Sequence, residues 1–203
     1  MKETIVFATG NEGKMREVRM ILADLGMEIL SMKEAGVHAD IVEDGETFAQ
    51  NAEIKAKAVW ARTGGIVLAD DSGLAVDYLG GEPGVYSARY MGEDTSYDIK
   101  NQAIIDRLKG AKGKERSARF VCDIAAVLPD GTVIHTEGFM EGQIAEKPAG
   151  TEGFGYDPIL YIPELGVTSA ELTLEQKNQI SHRGKALCAM KEELFKRYRG
   201  EEL

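Results

Sequence analysis

Residues 66–77, IVLADDSGLAVD, carry an apolar, β-branched run straight into two adjacent aspartates, Asp70 and Asp71, followed by Ser72-Gly73. The run predicts a buried strand over Ile66–Ala69. Charges at the end of such a strand are costly unless water, a cation or a proton compensates them. Successive side chains of an extended strand point to opposite faces. The two carboxylates are therefore not expected to chelate one ion together. One is expected to face a functional cleft, the other to bond to backbone or cap the following turn. Strand C-termini are where α/β sheets bind ligands. The alternative is a pair of solvated turn formers ahead of Ser-Gly.

Around this strand the chain alternates strand and helix. Thr4–Ala8 is predicted as a strand, and Lys14–Leu25 as a helix that carries Met15, Val18, Ile21, Leu22 and Leu25 at helical spacing. Thr47 is a helix cap for a run through Phe48, Ala52, Ala56 and Val59 to about Arg62, ended by Gly64-Gly65. Asp94 or Thr95 caps a helix to Lys109. Ala118–Leu128 is a long strand, and PDGT at 129–132 turns it into Val133–Glu137. Ser181 caps a C-terminal helix carrying Leu187, Met190 and Leu194. Helices among strands followed by a hairpin predict an α/β fold with a mixed sheet. The 203 residues show no repeat or long linker, and are read as a single domain, 1–203.

Composition removes several classes of function. The formal charge of −10 disfavours broad binding to nucleic-acid backbones, which needs a basic face, but leaves room for a small anionic ligand. No apolar run is long enough to cross a membrane, and MKETIVFATG has too short an apolar stretch for a signal peptide. Cys122 and Cys188 have no CxxC or Cys/His cluster nearby, so thiols in a reducing cytoplasm are expected.

Four further segments carry chemistry. TGNEGK, Thr9–Lys14, joins a strand to a helix. Gly10 and Gly13 let backbone approach a ligand, and helix-start N–H groups with Lys14 suit an anion. The spacing fits neither a Walker A loop nor GxGxxG, and a plain turn with a helix cap is the alternative. In VEDGETFAQNAEIKAKA, residues 42–58, Glu43, Asp44 and Glu46 precede a helix, where its dipole favours acids in any case. Asn51 and Lys55 share a face of that helix at i, i+4, so Lys55 is either a surface residue or a partner of the anion at Lys14. EGFGYDPILYIP, residues 152–163, presents Phe154 and Tyr156 either to stack on a flat base or to pack in the core. SHRGKA, residues 181–186, places His182 and Arg183 in a first helical turn, where cations are disfavoured and an anionic or hydrogen-bonding partner is called for.

TGNEGK, the Glu43–Lys55 segment, ADDSGL, GEPGVYSARY at 81–90, FGYDPIL and SHRGKA follow one another in a single order from about Thr4 to Lys196. Together they closely resemble the inosine/xanthosine triphosphate pyrophosphatase family, house-cleaning hydrolases of nonstandard purine nucleoside triphosphates. The resemblance implies an elongated α/β fold with a mixed sheet and flanking helices, two lobes around a deep cleft, and a homodimer. It also implies Mg²⁺-dependent release of pyrophosphate from the triphosphate, leaving a monophosphate.

By the same resemblance, Thr9, Gly10, Asn11, Glu12, Gly13 and Lys14 cradle the triphosphate, with Lys55 as a second phosphate lysine. Glu43 and Asp71 are implied as metal ligands, Asp71 also as general base, and Ser72 as a substrate contact. Phe154, Gly155, Tyr156, Asp157, Lys177, His182 and Arg183 are implied to hold purine and sugar. Asp44 adjoins Glu43 and is an alternative metal ligand. These residue types suit the reaction: a triphosphate brings about four negative charges, and Mg²⁺ takes one or two carboxylates beside phosphate oxygens and water. Two other functions fit the sequence. One is a Maf-like nucleotide pyrophosphatase with another base preference, which SHRGKA and FGYD disfavour. The other is a nucleotide-binding regulator without turnover, which Asp71, Glu43 and Lys14 disfavour.

Overall fold

The computed structural model describes residues 3–198. Its strands are β1 (Thr4–Phe7), β2 (Glu28–Ser31), β3 (Ile66–Val76), β4 (Ser117–Val127), β5 (Val133–Ile144), β6 (Leu160–Ile162) and β7 (Val167–Thr168). The α-helices are α1 (Glu12–Ile21), α2 (Phe48–Thr63), α3 (Tyr97–Arg107), α4 (Leu174–Ile180) and α5 (His182–Tyr198). The seven-stranded sheet has the order β2-β1-β3-β4-β5-β6-β7. β1 runs parallel to β2 and β3, whereas β5–β6 and β6–β7 are antiparallel. The fold is mixed α/β, with helices flanking the sheet.

The described residues divide into two compact units, one of 3–71, 122–138 and 183–198, the other of 72–121 and 139–182. In the first unit the sheet is covered on both faces. Ile5, Phe7, Ile66 and Leu68 point to α1 and α5, where they meet Met15, Val18, Leu187 and Met190. Their strand neighbours Val6, Ala8, Val67 and Ala69 point to α2, against Ala52, Ala56 and Val59. Strands buried on both faces read as continuous apolar runs, which is why TIVFA and IVLA show no alternation. The second unit has its own core, built on Leu74, Val76, Ile104, Leu108, Phe120, Ile144, Ile159 and Leu160.

Caps explain several helix boundaries. Thr47 accepts from the Gln50 N–H at 3.2 Å and Gly64 closes α2, as the sequence predicts. α1 begins at Glu12 rather than Lys14, because Asn11 is its N-cap and accepts from the Lys14 N–H at 3.1 Å. Ser96, not Asp94 or Thr95, precedes α3, since the Thr95 hydroxyl donates back to the Met91 carbonyl. Ser181 stands ahead of α5 and also closes α4, a short helix that the sequence pattern does not reveal.

Two expected boundaries change more. β3 does not stop at Ala69: Asp70, Asp71 and Ser72 continue it to Val76, so the two aspartates lie within a strand and not at a turn. β5 runs on to Ile144 instead of ending at Glu137. The GAKGKER stretch, unassigned from sequence, holds a structural residue. Buried Arg116 donates to the carbonyls of Ile144 at 2.6 Å, Ala145 at 2.9 Å and Leu108 at 3.1 Å.

Candidate active site

Strand alternation carries past Ala69 and sends the two aspartates to opposite faces of β3. Asp71 follows Val67 and Ala69 to the α2 side. Asn51 Nδ2 donates to its Oδ2 at 3.1 Å, and Lys55 Nζ to its Oδ1 at 3.3 Å. The i, i+4 pair on α2 thus grips one carboxylate from two positions. Lys55 Nζ also donates to Glu43 Oε2 at 2.6 Å. Asn51 is held in turn, since its Oδ1 accepts from the Gly45 N–H at 2.9 Å. Gly45 makes that approach possible: a Cβ there would lie 2.7 Å from Asn51 Oδ1 and 2.8 Å from Gln50 Cβ. Asn51 has a larger role than its sequence signal, a shared helix face with Lys55, had indicated.

The electrostatics of this group follow from its burial. Desolvation raises the Asp71 pKa and the nearby Glu43 charge raises it further, against opposition from Lys55 and the Asn51 hydrogen bond. Burial alone would lower the Lys55 pKa, but Asp71, Asp70 and Glu43 outweigh it, so the ammonium is kept charged. Two carboxylates held on one lysine form a hard, oxygen-rich donor pair of the kind Mg²⁺ takes. Asp44 is exposed, whereas Glu43 is the member that reaches Lys55.

Asp70 follows Ile66 and Leu68 to the α1–α5 side and is 1% exposed. It lies within β3, and its carboxylate meets two cationic side chains. Lys14 Nζ lies 3.0 Å from its Oδ1 and 2.9 Å from its Oδ2, and Arg183 Nε and Nη2 both donate to Oδ2 at 3.1 Å. The other Arg183 nitrogen, Nη1, donates to Glu17. Burial would raise the Asp70 pKa, yet Lys14, Arg183 and Lys55 hold it well below the usual carboxylate range. The anionic partner that Arg183 requires at a helix N-terminus is therefore supplied by the protein, as two carboxylates of the same unit. Lys14 and Lys55, expected to address one anion, reach different carboxylates from opposite faces of β3. Beside them, the Thr9 hydroxyl accepts from the Asn11 N–H at 3.1 Å, and a Cβ on Gly10 would meet nothing within 4 Å.

The second unit gathers the FGYD loop and Lys177. Asp157 is buried; its Oδ2 accepts from the Phe154 N–H at 2.8 Å and from Lys177 Nζ at 2.7 Å, and its Oδ1 accepts from the Ser169 hydroxyl at 2.7 Å. Gly153, at φ 76°, leaves room for this, since a Cβ would lie 2.2 Å from Asp157 Oδ2. Lys177 Nζ sits 4.9 Å from the Phe154 ring centroid. Phe154 is 37% exposed, while Tyr156 is buried, donates to the Ser87 carbonyl at 2.8 Å and stands edge-on to Tyr97. The Gly155 carbonyl accepts from Asn101 Nδ2 at 3.1 Å. His182 is buried with its ring 4.9 Å from that of Phe120. Of the two aromatics expected as base platforms, then, Phe154 is exposed, and Tyr156 supports the loop from within. Ser72, directly after Asp71 in β3, is partly exposed.

Residues 5–193 match the model of the Ham1 family. The chain belongs to that family. Among curated Ham1 relatives, a dITP/XTP pyrophosphatase of Bacillus licheniformis is 48% identical over 92% of this chain and 95% of its own length. One of Thermus thermophilus is 50% identical, over 93% and 90% of the two chains. A solved structure of a HAM1 protein from Coxiella burnetii superposes with a TM-score of 0.87 at 40% identity, covering 96% of this chain and 99% of that one. The Staphylococcus aureus Ham1 protein gives 0.86 at 39% identity, over 98% and 100%. Among the described residues, no helix of this family member is long and apolar enough to cross a membrane.

Proposed function

We propose that this Ham1 protein hydrolyses nonstandard purine nucleoside triphosphates, those of inosine, deoxyinosine and xanthosine, to monophosphate and pyrophosphate. The observation that carries this reading is the Asp71 carboxylate, fixed by Asn51 and Lys55 with Glu43 on the same lysine, in a chain that matches dITP/XTP pyrophosphatases over nearly its whole length. Lys14, Lys55 and the Thr9–Gly13 loop take the triphosphate, and Ser72 contacts it next to Asp71. Glu43 and Asp71 would hold Mg²⁺, which would supply positive charge to the phosphate oxygens. A water within reach of Asp71 attacks the α-phosphorus and gives its proton to that carboxylate. The bond to the bridging oxygen breaks, and pyrophosphate leaves with its charge offset by Lys14 and Lys55. Phe154 stacks on the purine, backed by Lys177, with Gly155, Tyr156 and Asp157 shaping the loop. His182 supplies a donor to the base, whereas Arg183, implied by the resemblance to hold the purine as well, has its guanidinium bonded to Asp70 and Glu17.

Hypoxanthine and xanthine carry an acceptor oxygen at position 6, where adenine carries an amino donor. A donor-lined site leaves adenine's amino group opposed, and mismatched buried polar groups discriminate strongly. In a phosphate-release assay coupled to an inorganic pyrophosphatase, kcat/KM for inosine and xanthosine triphosphates exceeds that for ATP by at least about 100-fold. Activity is lost on chelation and returns with Mg²⁺, and Glu43→Gln moves the Mg²⁺ midpoint while Asp44→Asn does not. Equal values for ATP and inosine triphosphate would remove the house-cleaning role. A preference for a pyrimidine triphosphate would favour the Maf-like alternative, and no release from any nucleotide would favour a regulator.

The protein acts as a cytoplasmic homodimer in this proposal. The second unit exposes Tyr78, Tyr86, Met91 and Ile99, each more than half exposed, around the GEPGVYSARY segment. Single exposed apolar residues are ordinary, but several in one stretch of chain support this segment as a candidate association surface. Sedimentation equilibrium is expected to give a dimer for the wild type and a weaker one for Tyr86→Lys; identical behaviour of the two would move the interface elsewhere.

A further inference from the structure

We infer that Asp70 is a positioning residue, holding the Lys14 ammonium in place for the triphosphate while Arg183 and Glu17 hold Asp70. This rests on the proposed role of Lys14 in binding phosphate. Lysine is a point charge on a flexible four-carbon stem, and rotamer entropy opposes keeping it in one place. The arrangement here restrains it from the side away from solvent. Lys14 touches both oxygens of Asp70, at 3.0 and 2.9 Å. Asp70 cannot turn away, because two Arg183 nitrogens grip its Oδ2 at 3.1 Å. Arg183 is 1% exposed and its remaining nitrogen is taken by Glu17, itself 2% exposed.

Charge explains why a second carboxylate is present. Two cations facing Asp70 alone would leave a buried net positive charge, and Arg183 would compete with Lys14 for it. Glu17 balances the set and draws part of Arg183 to itself, leaving Asp70 shared. Lys55 makes its contacts on the other face of β3 and acts on Asp70 only through its charge. Asp70 need not touch substrate; it acts through Lys14.

Position and bare charge predict opposite signs. Removing a carboxylate near a polyanion should, by charge alone, improve binding. Loss of positioning should impair it. The test is a double-mutant cycle of Asp70→Asn and Lys14→Met, read as kcat/KM for xanthosine triphosphate and as calorimetric Kd for inorganic tripolyphosphate, with thermal melts on all four proteins. Asp70→Asn is expected to lower kcat/KM and weaken tripolyphosphate binding, each by about 10-fold, and to have less than about a twofold effect when Lys14 is already Met. Equal losses in both backgrounds, or tighter tripolyphosphate binding in Asp70→Asn, would overturn the inference. Should Asp70→Asn fail to fold, Glu17→Gln replaces it in the same cycle, with a smaller loss expected that again vanishes without Lys14; a loss that persists overturns it. A wild type that turns over no nucleotide and binds no tripolyphosphate would instead defeat the phosphate-binding role of Lys14 on which this rests.

Discussion

Asp71→Asn lowers turnover of xanthosine triphosphate by roughly 10²- to 10⁴-fold, the range lost with a general base, while the protein stays folded. The amide keeps the shape of the side chain but cannot take a proton from water. It also presents an N–H₂ where Asn51 Nδ2 and Lys55 Nζ both donate, so one of those contacts turns repulsive. Loss of a charged metal ligand adds to the defect. Structure should suffer little by comparison, because Asp71 is only partly buried and Lys55 keeps its contact with Glu43. Steady-state kinetics at saturating Mg²⁺ and a thermal melt separate the two effects. More than about a tenth of wild-type turnover in the variant would remove Asp71 from the base's role.

Arg183→Met shifts stability more than any other single change proposed for this chain. The guanidinium is fully enclosed and bonds to Asp70 and Glu17. Its removal takes from two buried carboxylates the guanidinium they share, and breaking a buried pair from one side costs about 3–5 kcal/mol. For a chain of this size that corresponds to a fall in Tm of roughly 6–20 °C. Arg183→Lys should recover part of it, since one ammonium cannot reproduce a three-nitrogen grip on two carboxylates. The pH dependence has a definite sign. Asp70 titrates below its unfolded value, near 3.9. Its ion pairs therefore stabilise the fold above that pH, and the contribution is lost as pH falls through the folded pKa. In Arg183→Met this acid-side loss is smaller. Melts from pH 3 to 8 would show it, and an unchanged Tm at neutral pH would mean that the carboxylates find other partners.

Local rules were enough to read much of this molecule from its residues. Thr47 and Gly64 bound α2 because capping is chemistry within a few residues. Asn51 and Lys55 share a face because the helix repeat puts them there. Asp70 and Asp71 part company because a strand alternates. The order of motifs from TGNEGK to SHRGKA led to the family that the Ham1 match establishes. Elements with weak local signals were missed: β2, β6, β7 and α4 are short, and the extension of β3 through Asp-Asp-Ser-Gly runs against the turn preference of those residues.

What only the tertiary structure decided is the partner of each charge. Asp70 meets Lys14 from 56 residues away and Arg183 from 113, separations over which no periodicity or capping pattern speaks. The sequence determined that Arg183 calls for an anionic or hydrogen-bonding partner and that the charges at Asp70 and Asp71 need compensation by water, a cation or a proton. Which anion and which cation depended on α1 and α5 packing on the same face of β3, through Met15, Val18, Leu187 and Met190, whose apolar side chains would suit many other pairings equally well. Hydrophobic burial is non-directional, so it brings helices to a sheet without naming their neighbours. Buried charges tolerate few arrangements, because each left unpaired costs several kcal/mol.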